Sequence, residues 1–149
     1  MSSRLPGRYR DRVSDVSDTV RMARLWGRVA AVYDVAVPFF SVLGQRLVDA
    51  LDPAPGERVL DVATGRGACL LPTAQRVSGD GYVVGIDLSS EMVAATAIEL
   101  SRRGVSNASV LIANAQHLGF AAGSFDVVTC SQAITSSRTR APRHTSSEG

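Results

Sequence analysis

An α/β fold on a parallel sheet is predicted by three features of this sequence. Apolar runs of five or six residues alternate with stretches of helical period, the pattern of strands joined by crossover helices. The runs give way to glycine, aspartate or asparagine, the residue types that shape turns. With 149 residues, 45% hydrophobic and 20% charged, the chain is long and apolar enough for one real core.

Residues 1–17 are rich in Arg, Asp and Ser and are expected to form a disordered leader. Residues 18–57 are expected to form a helical cap. Asp18 or Thr19 suits a helix start, and Met22, Leu25, Trp26, Val29, Val32 and Tyr33 follow at helical spacing. Pro38 interrupts, and Ser41 is expected to open a second helix with Val42, Leu47, Val48 and Leu51 available for burial. The stretch 52–57 reads as a turn.

From Arg58 the period changes. Val59–Ala63 is the first strand, and the loop Thr64-Gly-Arg-Gly67 leads to a helix ending near Val77. Tyr82–Ile86 is the second strand and stops at Asp87. Ser89 or Ser90 caps the next helix, and Gly104 suits the residue just past its end. Ser109–Ala113 and Phe125–Cys130 are the third and fourth strands. Residues 58–130 thus form the α/β unit. Residues 131–149 hold eight Ser or Thr and only three apolar residues, and are expected to be a disordered tail.

All 16 basic side chains are Arg, and their distribution matters more than the net charge of +2. Residues 1–28 carry seven Arg against three Asp, whereas residues 29–130 carry six Arg against ten acids. A folded body with that acidic excess offers no basic working face, so no nucleic-acid partner is expected. Cys69 and Cys130 form no paired motif, so neither a disulfide framework nor a metal site is indicated, and a cytoplasmic location is expected. No apolar stretch is long enough to predict a membrane span.

In open α/β sheets ligands sit at the carboxyl ends of the strands, and the informative residues fall there. Gly65 and Gly67 let a ligand approach bare backbone. Asp87 ends the second strand, where a carboxylate can accept hydrogen bonds from both hydroxyls of a ribose. Asn114, Ala115 and Gln116 follow the third strand, placed to reach a base edge, with Leu88 and Met92 available to cover its faces. Leu70 stands where a dinucleotide site needs a third small residue. A nucleoside without phosphate, such as S-adenosylmethionine, removes that requirement.

Taken together, Val59-Leu-Asp-Val-Ala-Thr-Gly-Arg-Gly67, Val83-Val-Gly-Ile-Asp-Leu-Ser-Ser-Glu-Met92, Asn114-Ala-Gln-His-Leu-Gly-Phe120 and Gly123-Ser-Phe-Asp-Val-Val128 resemble the ordered motifs of class I S-adenosylmethionine-dependent methyltransferases. The ubiquinone/menaquinone C-methyltransferase-like group is the nearest resemblance. It covers roughly residues 20–131 and implies a Rossmann-like sheet in the order 3-2-1-4, with the C-terminal half of the family fold missing.

The resemblance implies that Asp61, Ala63, Thr64, Gly65 and Gly67 hold the methionine end of the cofactor. It implies that Asp87 holds the ribose, that Leu88, Met92, Asn114, Ala115 and Gln116 surround the adenine, and that Tyr33 belongs to helices folding over it. The family usually has Asp at the place of Asn114. No catalytic base is assigned, because alignment of the reacting groups supplies much of the rate in an in-line displacement. The expected function is methyl transfer to a small-molecule acceptor by a truncated, impaired form of the enzyme; the alternative is a non-catalytic cofactor-binding or interaction module. An uncovered fourth strand is also expected to invite self-association through its edge.

Overall fold

In the computed structural model of the chain, residues 16–29 and 38–130 are described, and the structural statements below concern these. The elements are α1 (Val16–Val29), α2 (Phe39–Leu51), β1 (Arg58–Val62), α3 (Leu70–Val77), β2 (Tyr82–Asp87), α4 (Ser90–Arg102), β3 (Ala108–Ile112) and β4 (Val127–Cys130). The four strands form one parallel sheet in the order β3-β2-β1-β4. Right-handed crossover connections favour this winding when helices separate parallel strands.

Parallel strands buried on both faces bury consecutive residues rather than alternate ones, and β1 does so. Val59, Leu60 and Asp61 are all buried, and Val59 lies in register with Val83 on one side and Val127 on the other. Below them α3 presents Leu70, Thr73, Ala74 and Val77, a single face at helical spacing. Leu70, Ala74, Val77, Val59, Val83, Val127 and Leu100 of α4 make the core.

Local chemistry sets the ends of α4. The Ser89 hydroxyl accepts the Met92 N–H at 3.2 Å, an N-cap that satisfies one orphan donor. At the other end the Val105 N–H donates to the Leu100 carbonyl and the Gly104 N–H to the Ser101 carbonyl. That pair of bonds is a Schellman motif, and Gly104 supplies its left-handed residue at φ 65°.

The N-terminal helices depart from expectation in detail. α1 already includes Val16, two residues before the expected boundary, so Asp18 and Thr19 lie inside it; Leu25 is exposed. α2 starts at Phe39 rather than Ser41, with Pro38 as an N-cap that makes no side-chain bond. Phe39 is exposed and packs edge-on against Phe40. Of the four residues offered for burial on α2, only Val48 is fully buried. Tyr33 and the tail 131–149 lie outside the described residues.

α2 meets the rest of the chain through Gly44. A Cβ there would come within 2.3 Å of the Ala68 carbonyl oxygen, a backbone atom that cannot move aside cheaply. Gly44→Ala is therefore expected to lower stability by about 1–3 kcal/mol, the usual cost of overpacking. Thermal unfolding checks this: the midpoint should fall by several degrees, and an unchanged midpoint contradicts the packing described.

Candidate cofactor site

At the carboxyl ends of β1, β2 and β3 lies a cavity of about 350 Å³, within the range of small-molecule sites. Val62, Ala63 and Gly65 come from the end of β1 and its loop; Ile86, Asp87 and Leu88 come from the end of β2. Ala113, Asn114, Ala115 and Gln116 follow β3, Met92 comes from the first turn of α4, and Ala23 comes from α1.

Asp87 is tied into this wall. One carboxylate oxygen accepts the Gly65 N–H at 2.9 Å, and the other accepts the Ser89 N–H at 2.9 Å. Its backbone carbonyl accepts the Ala113 N–H at 3.0 Å, which links β2 to the residues after β3. Ionised carboxylate oxygens offer about four acceptor positions, so these bonds orient the group and leave capacity for a ligand. Among the described residues lining the cavity, Asp87 is the only charged one.

The loop after β1 is held from behind. Asp61 is fully buried and accepts from the Thr64 hydroxyl at 2.7 Å and the Thr129 hydroxyl at 2.6 Å. The Thr96 hydroxyl donates to the Gly65 carbonyl at 2.8 Å. Burial pushes the Asp61 carboxyl up to about 6, against the lowering effect of bonds from Thr129, Thr64 and the Leu70 backbone.

Of the residues expected from sequence, Ala63, Gly65, Asp87, Leu88, Met92, Asn114, Ala115 and Gln116 are brought together around one cavity. Three others are placed differently. Asp61 and Thr64 are buried behind the wall and bond to each other, so the structure gives Asp61 a supporting position rather than a ligand-facing one. Gly67 lines a second cavity of about 310 Å³ with Phe40, Arg66 and Arg103.

Sequence reasoning missed Val62, Ile86 and Ala113, which a rule naming the last residues of each strand could have found. Ala23 had no such signal. It reaches the cavity only because α1 packs against α4, where a Cβ on Gly27 would meet the Glu91 carboxylate at 2.6 Å.

The family model of the methyltransferase domain matches residues 59–146. The chain belongs to the methyltransferase domain family. A nocamycin O-methyltransferase from Saccharothrix syringae is 48% identical over 72% of this chain and 39% of its own length. An aklanonic acid methyltransferase from Streptomyces sp. (strain C5) is 39% identical over 82% of this chain and 56% of its own length. The crystal structure of a SAM-dependent methyltransferase from Aquifex aeolicus superposes with a TM-score of 0.54 at 25% identity, over 58% of this chain and 46% of that one.

This methyltransferase domain therefore spans about two-fifths to just over half of the two curated relatives' lengths. The ubiquinone/menaquinone group is a more distant match than expected: a C-methyltransferase of that biosynthesis from Vibrio campbellii is 32% identical over 74% of this chain and 45% of its own length. S-adenosylmethionine is the cofactor that family membership implies. The cavity fits it, because its described wall is largely apolar and the one charge among those residues is negative, suited to a nucleoside carrying a sulfonium and no phosphate. No described helix is long and apolar enough to cross a membrane.

Two outcomes follow for the loop. Ala63 sits at φ 55°, a left-handed conformation that costs a residue with a Cβ roughly 1–2 kcal/mol. Ala63→Gly is expected to raise stability by up to about 1 kcal/mol after the glycine's greater unfolded-state entropy is subtracted. Chemical denaturation checks this, and a loss of stability contradicts it.

Asp61 binds its proton more tightly in the folded chain than in the unfolded one, where its value is 3.8. Its ionisation therefore removes stability as pH rises from about 4 to about 6, by at most about 3 kcal/mol. Asp61→Asn keeps an acceptor for one threonine and a donor for the other, whose hydroxyl can turn to accept. Unfolding curves across that window should show the variant gaining on the parent as pH rises; parallel curves contradict the assignment.

Proposed function

We propose that the cavity holds S-adenosylmethionine and that the chain serves methyl transfer to a small organic acceptor. The observation that carries this reading is Asp87, the one charged group of the described lining, fixed by the Gly65 and Ser89 N–H groups at the end of β2. When bound, the cofactor supplies a methyl group on a positively charged sulfur, open to direct displacement by an acceptor atom.

Each residue has a part in holding it. Asp87 accepts hydrogen bonds from the ribose hydroxyls with the acceptor capacity its two backbone bonds leave. Gly65 exposes bare backbone on the loop, and Ala63 adds only a methyl group, so the chain can approach closely. Leu88 and the buried Met92 present apolar surface to the base. Asn114 supplies a polar edge. The charge of Asp87 also favours a cationic ligand by attraction across a wall of low polarity. No residue of the chain is assigned as a base: holding the methyl donor and excluding water lowers the barrier through alignment. The small-molecule acceptor class is supported by relatives named for nocamycin and aklanonic acid.

Isothermal titration of the full chain with S-adenosylmethionine tests the reading. Asp87→Ala is expected to weaken binding at least tenfold, or about 1.4 kcal/mol. Equal affinity in parent and variant, or no binding by the parent, overturns it. Transfer of a labelled methyl group to phenolic or enolic small molecules then tests the acceptor class.

A further inference from the structure

We propose that two copies of the chain pair through β3, antiparallel about a two-fold axis at Val110, and so make one continuous sheet. β3 ends the sheet on the side opposite β4, and among the described residues it pairs only with β2. The contact is independent of what the cavity holds.

The ladder fixes which backbone groups are left over. The Val83 N–H donates to the Asn107 carbonyl at 3.0 Å, and the Ala113 N–H donates to the Asp87 carbonyl at 3.0 Å. A strand turns the N–H and C=O of alternate residues to the same neighbour, so Asn107, Ser109, Leu111 and Ala113 serve β2. The N–H and C=O groups of Ala108, Val110 and Ile112 therefore point outward from the edge. Such edges are ordinarily blunted by charge or proline. Asn107-Ala-Ser-Val-Leu-Ile-Ala113 has neither, and Leu111 and Ile112 are exposed. The same residues complement a second copy. About an axis at Val110, the outward groups of Val110 meet those of the other Val110, and those of Ala108 meet those of the other Ile112. Each large side chain then lies opposite a small one, Ile112 opposite Ala108 and Leu111 opposite Ser109. No like charges meet, so the strand is suited to its own copy.

Two short strands bury less than the roughly 1,200 Å² of a stable interface, and α4 supplies a second layer. It shares the sheet face with α3, because Leu100 joins Leu70, Ala74 and Val77 in one core. Its Glu99 and Arg103 face α3, where they line the second cavity with Leu71 and Gln75. At 3.6 residues per turn, Ser90, Ala94, Ala97 and Ser101 form a stripe on the other flank, toward the β3 edge. All are small, uncharged and exposed. A helix seated over β2 and β3 lies about 5 Å from the axis at the ordinary strand spacing. The two α4 helices then run antiparallel about 10 Å apart, the separation of packed helices.

Sedimentation equilibrium of the full chain is expected to show a reversible dimer with a dissociation constant of about 1–100 μM. Ile112→Pro deletes an outward N–H and leaves the bonds to β2 alone. Ala97→Glu places a charge on the α4 flank. Each is expected to raise the dimer dissociation constant about tenfold or more, with an unchanged circular dichroism spectrum. If the proline variant alters that spectrum, Ala97→Glu decides. Mixed Ser109→Cys and Leu111→Cys chains are expected to form a disulfide between residues 109 and 111, located by peptide mapping. A parent that stays monomeric up to about 1 mM, or assemblies that grow past the closed dimer, overturn the proposal. So does a dimer that both variants leave intact, or one that cross-links in another register.

Discussion

The buried carboxylate of Asp61 is the point from which the rest of the site is arranged. It sits one residue from the carboxyl end of β1, in register with Gly85 of β2 and Thr129 of β4. Full burial makes its ionised form costly, and the bonds from Thr64, Thr129 and the Leu70 backbone offset part of that cost. The bond to Thr64 has a geometric consequence. It folds the chain back immediately after the strand, which requires the left-handed turns at Ala63 and Gly65. That turn brings the Gly65 N–H to Asp87, so one buried group positions the one that lines the cavity.

Bonds of this kind make the cavity wall a connected unit. Asp87 joins the β1 loop to the cap of α4, and Thr96 of α4 joins the helix back to the same loop. Charged groups are sparing: among the described residues the wall has one carboxylate, and ion pairs lie elsewhere, including Arg58 with Asp126, Arg76 with Asp49 and Asp52, and Glu99 with Arg102 and Arg103. The Glu99 carboxyl, bonded by both arginines, is held down to about 2. Those exposed pairs add little to stability, whereas a second charge in the cavity wall would alter which ligands it admits.

Strands and helix ends were legible in the sequence because local rules govern them. The apolar runs, the Ser89 cap and the Gly104 terminus need only neighbours in the chain. Asp87 was legible for the same reason, since a strand end followed by a cap locates it. The start of α2 was not, because Pro38 takes the cap position without a side-chain bond and composition alone favours Ser41. Asp61 and Thr64 were read as ligand-facing because they lie within the loop motif. Only tertiary structure reveals that they bond to each other and that Asp61 also accepts from Thr129, 68 positions away. Ala23 reaches the cavity by helix packing, which spacing does not encode.

The division of labour along the sheet bears on what the cavity needs. Every described lining residue comes from α1, from α4, or from the ends of β1, β2 and β3 and the loops after them; none comes from β4. β4 acts at one remove: its Thr129 completes the bonding of Asp61, and Asp126 just before it receives the Arg58 N–H and donates its own N–H to the Arg58 carbonyl. Among the described residues it pairs only with β1. Its influence on the ligand therefore runs through the position of the β1 loop. Disturbing β4 should first change how tightly that loop, with Ala63 and Gly65, is held, while the lining groups after β2 and β3 stay in place.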